Sequence, residues 1–260
     1  MMRMRFDAAR VIEMAEWLGT LEAEDGRRED VAADLVAEAF QNLGWRVDRP
    51  DEAVVASRPS SAPTRVVIKS PFGRARVAPW QGWIHRSFGR LRGRGLAASD
   101  SIEVGVRTGL AFLLELARTW PASRSSRVDV AFSAVRTVRV RQAAEREPRP
   151  TLFLDVLAPG LGQGVVIGGS CRDLAIAAAR GLWIPHREKR FGTLPSQSAV
   201  IVGDGSLGDE AATVDPAALD RTAQLVTELA FRWAKERVGN GPAPQADDDR
   251  RASRSSQNPG

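Results

Sequence analysis

Apolar residues recur at helical spacing from the start of the chain. Val11, Ile12, Met14, Ala15 and Leu18 share one face of a segment from Phe6 to Leu21, which predicts an amphipathic helix. After the charged turn EDGRRED, Val31, Leu35, Val36, Ala39, Phe40 and Leu43 repeat the pattern, and Gly44 stands where a helix C-cap belongs. WRVDRPDEAVVASRP then alternates and breaks on proline, as a strand and turn do. Further on the period shortens. RVVIKS (65–70), VDVAFSAV (128–135), TLFLDVLA (151–158), GVVIGG (164–169) and QSAVIVGD (197–204) are brief apolar runs rich in β-branched residues, and each predicts a buried strand. Between them fall three helical patterns: Gly109 to Thr119, DLAIAAARGL after Cys171, and a long closing helix from Ala217, behind the cap-like pair Asp215-Pro216, to about Arg237. Residues 71–101 read as a long irregular segment.

Strands alternating with helices predict an α/β fold whose sheet is covered by helices on both faces. The 260 residues suffice for one large core, so 1–238 are expected to form a single domain. The stretch 239–260 is polar, proline-bearing and aperiodic, and is expected to be a disordered tail. A hydrophobic fraction of 43% beside 27% charged residues is that of an ordinary globular protein. The net charge of +5 comes from arginine, with lysine only at Lys69, Lys189 and Lys235, and it gives a weak pull toward anionic partners. One cysteine, Cys171, excludes an internal disulfide and a cysteine-rich zinc site. The N-terminal stretch has no continuous apolar core of a secretory signal, and no run of about eighteen apolar residues offers a membrane span. A cytoplasmic setting is expected.

Several motifs, in order, carry a resemblance. DLVAEAFQNLGWRV, RVVI, TGLAFLLELAR, VDVAFSAV, TLFLDV, VVIGGSCRDLAIAAARGLWIP and VDPAALDRTAQLVTELAFRWA resemble the successive helices and strands of the di-zinc aminopeptidases, family twenty-eight of the metallopeptidases, over roughly Val31 to Arg237. The resemblance implies a zinc-exopeptidase-like fold, a three-layer αβα sandwich around a mixed, mainly parallel sheet. It also implies two zinc ions held by histidines and carboxylates, with a glutamate as base for the metal-bound water.

The letters at the implied metal positions are different ones. Where the family carries His-x-Asp after its strand, this chain has Pro71, Phe72 and Gly73. The bridging aspartate and its neighbour fall on Val104 and Gly105, and a shifted alignment brings in only Asp100 or Glu103. The paired glutamates fall on Val135 and Arg136, and the final histidine falls near Gly205. Asp155 alone keeps a ligand-type residue. The chain is therefore read as a degenerate member with no zinc site of ordinary affinity.

Other chemistry is thin. The histidines, His85 and His186, follow WQGWIH and LWIPH without a partner at metal spacing. Cys171, in GGSCRD between a strand and a helix, sits where activated thiols occur, yet the pattern reads better as a structural cysteine. PGLGQG is followed by a strand and so is no dinucleotide fingerprint, and Ser196 and Ser198 lack a nucleophile-elbow pattern.

The segment from Phe72 to Gly95 has more physical content. There Arg74, Arg76, Arg86, Arg90, Arg92 and Arg94 interleave with Trp80, Trp83 and Phe88, beside His85. Trp80, Trp83, His85, Arg86, Arg90, Arg92 and Arg94 form the candidate binding surface, a mixture suited to stacking on bases and pairing with phosphates and equally to anchoring a protein partner, with a solvated arginine-rich loop as the plainer reading. The expected function is a catalytically inactive, peptidase-like domain for binding or assembly, with no cofactor. An unknown protein or a second copy is its expected partner, with no membrane contact. Two alternatives stay open: an active zinc aminopeptidase with non-standard ligands, and nucleic-acid or anion binding through the Trp/Arg segment.

Overall fold

The computed structural model describes residues 5–24, 28–50, 53–72, 97–120, 128–135, 149–190, 197–207 and 213–239. In chain order they form α1 (Ala8–Glu24), α2 (Arg28–Asn42), β1 (Arg46–Asp48), β2 (Ala53–Ser57), β3 (Arg65–Pro71), α3 (Ala97–Thr119), β4 (Asp129–Val135) and β5 (Thr151–Leu157). There follow β6 (Val165–Gly168), α4 (Arg172–Gly181), β7 (His186–Glu188), β8 (Ser198–Gly203), a 3-10 turn (Asp204–Leu207) and α5 (Pro216–Gly239). The strands make one eight-stranded sheet in the order β1-β2-β4-β3-β5-β8-β6-β7. β3 runs parallel to β4 and β5, β5 parallel to β8, and β6 parallel to β7. β1 on β2, β2 on β4 and β6 on β8 are antiparallel. The sheet is thus mixed and mainly parallel, as the sequence predicts.

Strand composition explains the layering. In β3, β4, β5 and β8 nearly every residue is buried, because both faces are covered and apolar side chains go both ways. On one face Val66, Ile68, Phe132, Leu152, Leu154 and Ile201 join residues of all five described helices in a single apolar cluster. Phe132 lies at its centre: Trp45 and Trp120 meet its ring edge-on at 5.0 and 5.8 Å, and Phe40 stacks at 6.3 Å. The other face carries two smaller clusters, Val67 with Ala131 and Phe153, and Val166 with Val200 and Val202. Among the described residues no helix contributes to either.

Three details depart from the sequence reading. WRVDRPDEAVVASRP is two antiparallel strands, β1 and β2, rather than one. His186–Glu188 forms the edge strand β7, which its polar letters conceal. Helix α3 begins at Ala97 instead of Gly109. Its early turns look unhelical because Gly105 and Gly109 each weaken a helix by about 1 kcal/mol relative to alanine. Both glycines are needed for packing. A Cβ on Gly105 would lie 2.8 Å from the Ala158 Cβ, and one on Gly109 would strike the Ser70 hydroxyl.

Candidate functional site at the carboxyl edge of the sheet

In an open α/β sheet, ligands bind outside the carboxyl ends of the parallel strands. Here that edge is formed by the ends of β3, β4, β5 and β8, with α3 alongside, and it contains every described position that the resemblance makes a metal ligand. Apart from Asp155, what the chain places at the directly aligned positions is apolar or lacks a side chain. Phe72 is 2% exposed, and its N–H donates to the Val135 carbonyl at 3.0 Å, tying the end of β3 to the end of β4. Val135 is itself buried. Val104 serves the helix, its carbonyl accepting the Thr108 hydroxyl at 2.7 Å.

Glycines let the backbone close over the remaining space. After β5 the chain turns sharply, with Ala158 at φ 47°, Gly160 at 79° and Gly162 at 84°, and it lies back across the end of β8. The Gly205 N–H donates to the Leu161 carbonyl at 2.9 Å, the Asp204 N–H to the Gly164 carbonyl at 3.1 Å, and the Asp215 N–H to the Gly160 carbonyl at 2.8 Å. The Asp204 carboxylate accepts the Gly164 N–H at 3.0 Å. A Cβ on Gly203 would sit 2.7 Å from the Leu161 carbonyl oxygen and closer still to that of Ala158. On Gly205 it would lie 2.5 Å from the Gly162 nitrogen. Near the position of the final histidine, backbone therefore fills the volume a ligand side chain would need, and beside the position of the bridging aspartate the Ala158 side chain does so at Gly105.

Asp155, the retained carboxylate, points to the sheet face that lacks a described helix. Its neighbour in register on β3 is Lys69, whose ammonium lies 3.5 Å from the carboxylate and 4.6 Å from the centre of the Phe153 ring. The pair is largely buried, at 14% and 22% side-chain exposure for Lys69 and Asp155. A fixed ammonium already balances the carboxylate and repels a second cation. Zinc requires histidine nitrogen, thiolate or several carboxylate oxygens around one point. Among the described residues no group of three or more His, Cys, Asp or Glu converges. The donor set at this edge does not fit a zinc ion.

The remaining sequence candidates separate in space. His186 starts β7, its Nδ1 3.0 Å from the Ile184 carbonyl. Three strand spacings, about 14 Å, part β7 from β5 and Asp155. Cys171 caps α4, its N–H donating to the Ser198 carbonyl at 2.8 Å, while the Ser170 hydroxyl accepts the Ser198 N–H at 2.9 Å. Burial pushes the Cys171 thiol above its ordinary range, outweighing the lowering from Ser170. That is the environment of a structural cysteine rather than a nucleophile. Trp80, Trp83, His85, Arg86, Arg90, Arg92 and Arg94, together with Arg136, Ser196 and most of the 239–260 tail, lie outside the described residues.

A cavity of about 520 Å³ opens instead between α1, α2 and α3, with Met14, Trp17, Leu35, Ala39 and Leu43 among its walls. Glu115 in its lining is fully buried and fully engaged. Arg118 donates to it at 2.6 and 2.8 Å, the Asp7 N–H donates at 3.0 Å, and Arg10 stands 3.7 Å away. The bond to Glu115 raises the Arg118 guanidinium further above its already high range. This polar group ties the N-terminal segment to α3, and sequence reading missed it because a lone glutamate in LLELAR carries no motif.

Comparison of the sequence with known families finds no match, and neither does comparison with curated proteins. Solved structures do match in fold. The glutaminyl cyclase of Fimbriiglobus ruber superposes with a TM-score of 0.57 at 13% identity, over 88% of this chain and 96% of that one. LapB from Legionella pneumophila gives 0.60 at 12% identity, over 88% and 73%. A Zn-dependent exopeptidase from Parabacteroides distasonis gives 0.57 at 13% identity, over 87% and 98%. The chain thus has the α/β fold shared by zinc-dependent exopeptidases and glutaminyl cyclases, and among its described residues no helix is long and apolar enough to cross a membrane.

Proposed function

We propose that this protein is a catalytically inactive relative in fold of the zinc exopeptidases and glutaminyl cyclases, acting in binding or assembly. One observation carries the reading: at and beside the implied ligand positions, Gly105 is pressed against the Ala158 side chain, and Gly203 and Gly205 against the backbone of residues 158–162. The ion pair between Asp155 and Lys69 supports it, since the carboxylate is already served by a built-in cation. Losing ligands while keeping the core is physically simple, because the ring contacts of Phe132 with Phe40, Trp45 and Trp120 involve none of the implied ligand positions. The same reading places the protein in the cytoplasm, for which its single cysteine is the support.

The deciding experiment is elemental analysis of tag-free protein dialysed against trace zinc, run beside assays on aminoacyl anilides and on peptides with N-terminal glutamine. Less than about a tenth of an equivalent of zinc is expected, because a protein zinc site of ordinary affinity survives such dialysis. No turnover is expected on either substrate. A stoichiometric equivalent together with turnover would overturn the reading.

A further inference from the structure

The lateral edge of the sheet at β7 carries a feature that neither packing nor the closure at Gly203 and Gly205 accounts for. Helix α4 ends with two backbone bonds: the Trp183 N–H donates to the Arg180 carbonyl at 3.1 Å, and the Ile184 N–H donates to the Ala179 carbonyl at 2.9 Å. This termination puts Trp183 in the left-handed region, φ 57°, at the position where glycine is the favoured residue. A tryptophan there is strained, and strain at such a place needs a compensating contact. Among the described residues none is supplied, and Trp183 is 92% exposed while its neighbour Ile184 is buried.

Close after it comes β7, which among the described residues pairs only with β6. The Val165 N–H donates to the Pro185 carbonyl and the Lys189 N–H donates to the Ile167 carbonyl. By the alternation of a parallel ladder, the backbone N–H and C=O of His186 and Glu188 face outward from the sheet. The charges around this edge are one-sided. Arg180, Arg187 and Arg190 are exposed and Lys189 is half-buried, against Glu188 as the one acid between residues 180 and 190. Burial lowers the Lys189 ammonium from its ordinary range.

We infer that Trp183 and the outer edge of β7 form a docking site for an extended acidic segment of a protein partner. The segment adds to the sheet as a further strand, its backbone meeting His186 and Glu188, an apolar side chain covering Trp183, and its carboxylates facing Arg180, Arg187 and Arg190. Strand addition supplies the affinity through main-chain hydrogen bonds, and the aromatic anchor with its basic rim supplies selectivity. A second copy of this chain fits poorly. Pairing β7 antiparallel with itself about a two-fold axis, with His186 against Glu188, sets Arg187 against Arg187, like charges directly opposed. The inference rests on the binding role proposed above and names its surface.

The test is a fluorescence-anisotropy titration of the full chain with a labelled peptide alternating glutamate and valine, at low and at physiological salt. Binding with a Kd below about 100 μM at low salt is expected, weakening as salt screens the rim. Trp183→Gly should weaken binding by at least about tenfold while leaving the thermal midpoint no lower, as expected when an anchor is lost from an interface but not from a core. Trp183→Asn, which tolerates the same backbone, should do the same. Glu188→Pro, removing one outward N–H, should also weaken it.

The proposal is overturned if the peptide does not bind, if Trp183→Gly binds as well as the parent, or if a lysine–valine peptide binds equally. Tighter binding of oligothymidylate would overturn it as well. Failure here with zinc-free, inactive protein leaves the inactive reading intact, whereas zinc and turnover would overturn that reading and leave the peptide titration interpretable.

Discussion

The carboxyl edge and the lateral edge of the sheet use glycine and tryptophan in opposite ways. At the carboxyl edge of β5 and β8, glycine stands where a larger residue would carry chemistry, and the chain closes on itself through Gly105, Gly203 and Gly205. Beside β7 a tryptophan stands where glycine would be easier, and the chain leaves it open to water. Among the described residues nothing covers that indole. Under the readings proposed above, the first region has lost its chemistry and the second serves contact with another molecule.

The sharpest way to break the comparison is to put ligands back. Gly105→Asp with Gly205→His restores the residue types implied beside the bridging aspartate and near the final histidine, but each Cβ lands on an atom that cannot move cheaply, Ala158 in one case and the Gly162 backbone in the other. Overpacking costs about 1–3 kcal/mol per site, and sometimes more, so a combined loss of roughly 3–6 kcal/mol is expected from denaturant unfolding. Zinc uptake should not appear. A variant that kept the parent midpoint and bound zinc would mean the edge is open. Gly203→Ala asks the same question with one methyl group, which would meet the carbonyl oxygens of Ala158 and Leu161. A loss of about 2–3 kcal/mol is expected.

Asp155 tests the other half of the argument. If it serves structure, Lys69→Met strands a largely buried carboxylate and costs about 1–3 kcal/mol, and Asp155→Asn in that background recovers part of the loss. The coupling from a double-mutant cycle is the measured quantity. A metal-binding Asp155 would behave differently, since removing Lys69 would then free it for zinc and raise metal content.

Cys171 gives a smaller, pH-dependent effect. Burial raises its thiol, so the folded state holds less thiolate at neutral pH than a free thiol does. Alkylation by iodoacetamide should be slower than that of glutathione at pH 7.5 and should climb through the alkaline range. With the folded value raised above the unfolded one, the thiol's contribution to stability is fully present below the unfolded range of about 8.5 and is lost as pH rises through the folded value. Alkylation as fast as glutathione would instead mark an activated thiol.

Most of this architecture was legible because the strands are buried on both faces and spell themselves out as apolar runs, and because α2, α4 and α5 repeat at helical spacing. The early turns of α3 were not legible, since Gly105 and Gly109 answer to Ala158 and Ser70, far away in sequence. β7 was hidden for the opposite reason: an edge strand with its charged side chains outward carries no apolar pattern. At the site, the missing ligands could be read from single letters, but the closure of the edge could not, because it depends on hydrogen bonds between the loop after β5 and the turn after β8. Nor could Trp183 be singled out, since its exposure and its positive φ are properties of the folded chain alone.

The smallest predicted effect has the opposite sign from the rest. Glycine at position 183 relieves a left-handed backbone that costs an L-residue about 1–2 kcal/mol, while the more flexible unfolded chain takes back about 0.4–1 kcal/mol. Trp183→Gly should therefore be neutral or stabilising by up to about 1 kcal/mol, read as an unchanged or higher denaturant midpoint with an unchanged slope. If it were destabilising, Trp183 would be packing against part of the protein's own chain, and the contrast between a closed edge and an open one would fail at the open end. A gain would mean that the natural sequence keeps a residue against its own stability, and the reason for keeping it then has to lie in what the exposed indole touches.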